Sequence, residues 1–280
     1  MKALRLATYL ALLHMATSTA ATLEFAKRPI EKSQAVTPKA AALTHDTSAT
    51  ARGQKLHTTR RWSYSGDTGP KNWPNLHRDY RDCSGNNQSP INLTSFTEAA
   101  LKPVEFNYQP ATAALLNNGH TVQLNYRQPK YIKAEGLTFN LLQFHFHSPS
   151  ENQINGISYP LEAHFVHQND RGELAIVAVM FEQGAENPAL ARSIEELPMQ
   201  EGQHIPLESP MSPEELLPVN RDHYRFNGSL TTPPCTEGVR WFVLKTPATA
   251  SAEQLKVMKA ALGHANNRPI QALNARLVLR

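Results

Sequence analysis

The 280-residue chain has only two cysteines, Cys83 and Cys235, so a closed structural zinc site built on three or four Cys ligands is excluded. It has no apolar run approaching the roughly 18 to 20 residues that cross a bilayer, which excludes a transmembrane helix. Charged residues make up only 19%, beside 40% hydrophobic residues and 20 prolines, a globular composition rich in turns rather than a coiled coil or repeat. The His-Glu-x-x-His signature of zinc peptidases and the Gly-x-Ser-x-Gly signature of serine hydrolases are both absent.

Excess positive charge is missing from the body of the chain. The net charge is +4, but residues 1–61 hold 10 Lys+Arg against 3 Asp+Glu, whereas residues 62–280 hold 18 against 21. A main body that is net negative has no general attraction for phosphate backbones, so no nucleic-acid partner is expected.

What the N-terminus does have is the pattern of a secretory signal in residues 1–20. Lys2 and Arg5 form a positive start, Leu6 to Leu13 an apolar stretch, and Ala16-Thr-Ser-Thr-Ala20 a run of small residues suited to cleavage. The expected destination is the periplasm, with full secretion as the alternative. Residues 21–61, rich in Ala, Thr, Ser and Lys, read as a linker or pro-segment that is expected to be disordered. The folded unit is expected over 62–280, a comfortable size for one domain. An oxidising destination suits a Cys83–Cys235 disulfide, with two unpaired thiols as the alternative. Closing 152 residues would stabilise by at most about 5 kcal/mol on the chain-entropy account.

Strand patterns dominate the folded unit. Val104–Tyr108, Thr121–Tyr126, Leu137–His147, Leu161–His167, Leu174–Phe181, Arg240–Leu244 and Leu277–Leu279 are short apolar, aromatic or β-branched runs separated by turn residues. One helix is expected over Ser251–Leu262, capped by Ser251 or Thr249 and stopped at Gly263. The fold class is therefore mainly β with peripheral helices.

Chemistry concentrates in Gln143-Phe-His-Phe-His147 and Leu161-Glu-Ala-His-Phe-Val-His167. Side chains alternate along a strand, so His145 and His147 share one face, away from Phe144 and Phe146. If the second run returns antiparallel beside the first, His164 joins them, while His167 faces the other way. Three histidines with an open fourth position are the catalytic zinc arrangement. Gln143 and Glu162, each two residues before a histidine, are candidates to accept its outer N–H, with a surface carboxylate the alternative for Glu162.

The ordered segments Gln88-Ser-Pro-Ile-Asn-Leu93, Asn117-Asn-Gly-His120, Gln143-Phe-His-Phe-His147, Ser150-Glu151, Leu161-Glu-Ala-His164, Gly228-Ser-Leu-Thr-Thr-Pro-Pro234 and Asn267-Arg-Pro269 resemble the α-class carbonic anhydrases, particularly the secreted bacterial members. The resemblance runs from about Trp62 to Arg276. It implies one domain around a large, mostly antiparallel, ten-stranded sheet, and Zn2+ held by His145, His147 and His164. The implied reaction is reversible hydration of carbon dioxide to bicarbonate, by attack of zinc-bound hydroxide. Thr231 would accept a hydrogen bond from that hydroxide and donate to Glu151. The Thr231 N–H and the Thr232 hydroxyl would face bicarbonate, and Val166, Ile176, Leu230 and Trp241 would form the apolar wall for carbon dioxide. Tyr64, Asn118 and Gln123 would order a water network leading to His120, the proton shuttle. Cys83 and Cys235 match the family's disulfide, and Ser89-Pro90 and Pro233-Pro234 match its cis bonds. Sulfonamide and anion inhibitors and a homodimer are further implied partners. Asn152 stands where many relatives carry histidine, and Ile176 is bulkier than the usual valine. A catalytically silent binding module of this type would lack at least one zinc histidine; here all three are present.

Overall fold

The computed structural model describes residues 61–126 and 130–280. The expected signal sequence and the linker up to residue 60 lie outside the described residues. Thirteen strands and three α-helices occur among them. After α1 (Trp73–Leu76) come β1 (Asn92–Leu93), β2 (Glu105–Asn107), β3 (Ala113–Asn117), β4 (Val122–Tyr126), β5 (Tyr131–Ala134) and β6 (Leu137–His147). Next are β7 (Gln153–Ile154), β8 (Leu161–Gln168), β9 (Leu174–Gln183), α2 (Pro188–Glu195) and β10 (His204–Pro206). The chain ends with β11 (His223–Ser229), β12 (Glu237–Leu244), β13 (Ala248–Ala250) and α3 (Ala252–Leu262).

Eleven of these strands form one sheet, with the backbone order β10-β3-β4-β6-β8-β9-β12-β11 and with β2, β5 and β13 attached at its margins. The implied count of ten is corrected to eleven, because three-residue edge segments such as β2, β10 and β13 pair with the main ladder. Most pairings are antiparallel; β9 pairs in parallel with both β12 and β13. The run Leu277–Leu279 is not a strand of its own, and only Leu279 bridges, to Thr97 and Arg225.

Residue pattern explains which strands lie in the middle. β8 is buried through His167 and β9 from Ala175 to Phe181, as expected of strands covered on both faces. On one face, Phe139, Phe144, Phe146, Phe165 and Phe181 pack with residues of α2 and α3. On the other, Val166, Ile176, Ala178, Trp241 and Val243 form a second cluster. α3 begins with a capping box between Ser251 and Gln254 and ends at Gly263 in the left-handed region, φ 73°.

β6 contains a bulge. Leu141 pairs with His167 and Gln143 with Val166, leaving Leu142 as the extra residue. Before the bulge the odd-numbered Phe139 and Leu141 face the large core; after it the even-numbered Phe144 and Phe146 do.

Candidate metal centre and catalytic cleft

Antiparallel pairing of β6 with β8 sets His145 opposite His164, and β4 places Gln123 beside His145. His147 lies two residues further along the same face. The three imidazoles each offer a nitrogen within 4.8 Å of the others.

The outer contacts fix which nitrogen points inward. His145 Nδ1 donates to Gln143 Oε1 at 2.8 Å, and His147 Nδ1 donates to the Asn266 carbonyl at 2.7 Å. Each therefore turns an Nε2 lone pair toward the common centre. His164 is reversed: Nε2 lies 2.8 Å from Glu162 Oε1, close though imperfectly aligned, leaving Nδ1 for the centre. Burial, the largest cause, holds His145 and His164 well below the ordinary imidazole pKa, with neighbouring histidines adding to it; His147 is also lowered by burial. Neutral imidazoles are the form that binds a metal.

Glu162 is fixed from the other side. Oε2 accepts from the backbone N–H groups of Glu151 at 2.7 Å and Asn152 at 2.9 Å, while Asn152 Nδ2 donates to Oε1 at 2.8 Å. Asn152 also accepts from the Ile91 N–H at 3.1 Å, so this departure from the family pattern is a fully engaged linker.

Glu151 is 1% exposed, and Oε1 accepts the Arg268 backbone N–H at 2.8 Å. Oε2 lies 3.4 Å from His147 Nε2 and 3.8 Å from His164 Nδ1, with no hydrogen bond of its own. Burial pushes its pKa well above the usual carboxylate value, opposed by the Arg268 N–H and by the Thr231 hydroxyl. The orphaned His147 Nε2 and Glu151 Oε2 pass a simple test for a missing dication: it would satisfy the nitrogen and favour the ionised carboxylate. Three neutral imidazoles in a buried pocket are a donor set suited to zinc.

Val166, Ile176 and Trp241 stand in one row across β8, β9 and β12, and the Trp241 ring lies 5.0 Å from His164. Leu230 packs against the same cluster. Thr231 and Thr232 sit in the loop after β11, where the Cys235 N–H donates to the Thr232 carbonyl at 2.8 Å. Cys235 is bonded to Cys83. The peptide bonds Ser89-Pro90, Ser148-Pro149 and Pro233-Pro234 are cis.

At the outer end, Asn118 Oδ1 accepts from the N–H groups of His120 at 3.0 Å and Thr121 at 2.9 Å, and its amide reaches Gln123 Oε1 at 3.5 Å. The His120 ring stacks on Trp62 at 3.7 Å and 9°. Tyr64 packs beside Trp62, and desolvation, followed by the Glu151 charge, raises its pKa well above the ordinary value. His167 faces the opposite core, 2.5 Å from the Tyr108 hydroxyl.

The family model for eukaryotic-type carbonic anhydrase matches residues 68–280. The chain belongs to the α-carbonic anhydrase family. A carbonic anhydrase of Pectobacterium carotovorum is 45% identical over 219 residues, 78% of this chain and 90% of the relative. One from Neisseria gonorrhoeae is 44% identical over 234 residues, 83% of this chain and 91% of the relative. Among solved structures, the α-carbonic anhydrase of Thermovibrio ammonificans in complex with sulfanilamide has a TM-score of 0.77 and 46% identity, covering 79% of this chain and 99% of that one. The protein is an enzyme of this family, a lyase hydrating carbon dioxide, and carbonic anhydrases of this class are zinc enzymes.

Asn266 and Arg268 support the site through backbone groups, a role that their side-chain types do not announce. The run Asn266-Asn-Arg-Pro269 was the available signal, but nothing local shows that it folds back 119 residues onto His147.

Proposed function

We propose that this carbonic anhydrase works through zinc held by His145, His147 and His164, with Glu151 and Thr231 orienting the nucleophile and His120 carrying the proton away. The observation that carries the reading is the convergence of three histidine nitrogens, with the tautomers of His145 and His147 set by outer hydrogen bonds and Glu162 standing 2.8 Å from the outer nitrogen of His164. Zinc, when bound, lowers the pKa of a coordinated water to about 7, a value for which carbonic anhydrase is itself the standard example.

The protein supplies the rest. Thr231 donates its hydroxyl proton to Glu151, so its oxygen is left to accept a hydrogen bond from the nucleophile and fixes the line of attack. The row Val166–Ile176–Trp241, with Leu230, gives apolar carbon dioxide a surface without competing donors, while the Thr231 N–H and Thr232 hydroxyl face the product anion. Tyr64, Asn118 and Gln123 line the way to His120, whose imidazole passes the proton to buffer. The same metal site would take sulfonamides, as the Thermovibrio ammonificans relative takes sulfanilamide. Export to the periplasm fits the N-terminal pattern and the Cys83–Cys235 bond.

Stopped-flow carbon dioxide hydration by the purified chain tests this. Activity should disappear on chelation, return with zinc and be blocked by a sulfonamide. A folded, zinc-loaded protein without hydration would move the reading to a binding module.

A further inference from the structure

Beyond the parts already described, His120 has two titratable neighbours with no role so far, Glu201 and His264. Asn117 binds the 198–203 turn through three hydrogen bonds: its N–H to the Gln203 carbonyl at 3.1 Å, its carbonyl from the Gly202 N–H at 2.8 Å, and its amide to the Pro198 carbonyl at 3.0 Å. That clamp sets Glu201 against Gly119, the residue before His120. A Cβ on Gly119 would lie 2.7 Å from Glu201 Cδ and 2.8 Å from Oε1, so the carboxylate occupies space that only glycine leaves open. The exposed His264 packs near Tyr64, ring centroids 5.7 Å apart, and two residues on the Asn266 amide donates to the His120 carbonyl at 3.1 Å.

We propose that Glu201 is a positioning residue for the His120 relay: clamped against Gly119, its carboxylate keeps the imidazole able to accept a proton inside a desolvating cleft. His264 acts on the same ring with the opposite sign. The inference rests on the shuttle reading of His120 given above.

The electrostatics agree in direction. Burial is the largest influence and lowers the His120 pKa; Glu201 comes next and raises it, and His264 lowers it. Trp62, stacked on the ring, is uncharged, and the neighbouring Tyr64 stays neutral well above its ordinary pKa. Glu201 is thus the counterweight that limits how far burial weakens the shuttle as a base. Because the carboxylate is exposed, the effect is modest and sensitive to salt.

The test is an NMR titration of the His120 ring in the full chain, with its signal assigned by loss in His120→Asn. Glu201→Gln should move the midpoint to lower pH, corresponding to an about two- to fivefold weaker proton affinity, the size expected of an exposed charge pair. Glu201→Asp should recover most of the shift, His264→Ala should move the midpoint the other way, and about 1 M salt should erase these differences. An unmoved midpoint in Glu201→Gln, or a shift that persists in high salt, overturns the proposal. In dilute buffer, the zinc-loaded Glu201→Gln enzyme should lose more kcat than kcat/KM at neutral pH. A shifted midpoint without that split would overturn the relay reading, and the positioning role with it, while leaving the Glu201–His120 interaction standing.

Discussion

The Arg268 backbone N–H donates to Glu151 Oε1 at 2.8 Å, joining residues 117 apart in sequence. The guanidinium of the same arginine donates to Gln88 Oε1 and the Ser89 carbonyl, both at 2.8 Å, and to the Cys83 carbonyl at 2.9 Å. One residue thus ties the Glu151 carboxylate to the segment that carries the disulfide. Burial lowers the guanidinium pKa to about 10, which still leaves it charged at neutral pH.

Arg268→Met keeps the N–H to Glu151 but strips three buried acceptors of a charged partner. It should destabilise the protein by about 2 to 4 kcal/mol in urea unfolding. A loss under about 0.5 kcal/mol would show that the guanidinium contributes nothing net.

Glu162→Gln tests whether the carboxylate beside His164 tunes the metal site. Zinc affinity, measured by competition with a chelator, should fall about 10- to 100-fold. An unchanged affinity in a protein with native circular dichroism would assign Glu162 to the Glu151–Asn152 turn alone.

His167 should make stability pH-dependent without touching zinc. Burial lowers its pKa to about 3, so between that value and the ordinary 6.5 the unfolded chain binds a proton that the folded chain refuses. Unfolding then takes up a proton, and stability falls as pH falls through this window. From pH 7 to pH 5 the contribution of this group is about 2 kcal/mol. Urea unfolding of His167→Gln should show an acid loss shallower by that amount; parallel curves would contradict the assignment.

Ile176 is 2% exposed and lies between Val166 and Trp241 in the row. Ile176→Val should widen the apolar wall, raise turnover of a small aryl ester and cost about 0.5 to 1.5 kcal/mol of stability. Ester turnover that fails to rise would remove the residue from control of pocket width.

Much of the core sheet was legible because local pattern and tertiary role coincide. β6 begins and ends where its sequence pattern does, and α3 starts after its Ser251 cap and stops before Gly263. Elements with mixed composition were not legible: β3 is rich in alanine, β5 carries an exposed lysine, and β11 includes Arg225, Asn227 and Gly228. α2 was missed because its eight residues begin at Pro188, and its Asn187 cap receives much of its support from distant Gln254. The histidine cluster was readable from spacing and parity. Its supporting atoms were less so: the Asn266 carbonyl and the Arg268 N–H are backbone groups, which leave no mark in side-chain chemistry.

Leu142, the extra residue of β6, acts as a phase shifter. Upstream, odd positions belong to the large core; downstream, the odd positions are Gln143, His145 and His147. Keeping the upstream phase through an unbroken ladder would drive imidazoles into the phenylalanine layer and turn Phe144 and Phe146 toward the cleft. The difference between a metal-binding face and an oily one is therefore held by the bulge that takes Leu142 out of the alternation, at a residue carrying no catalytic chemistry of its own.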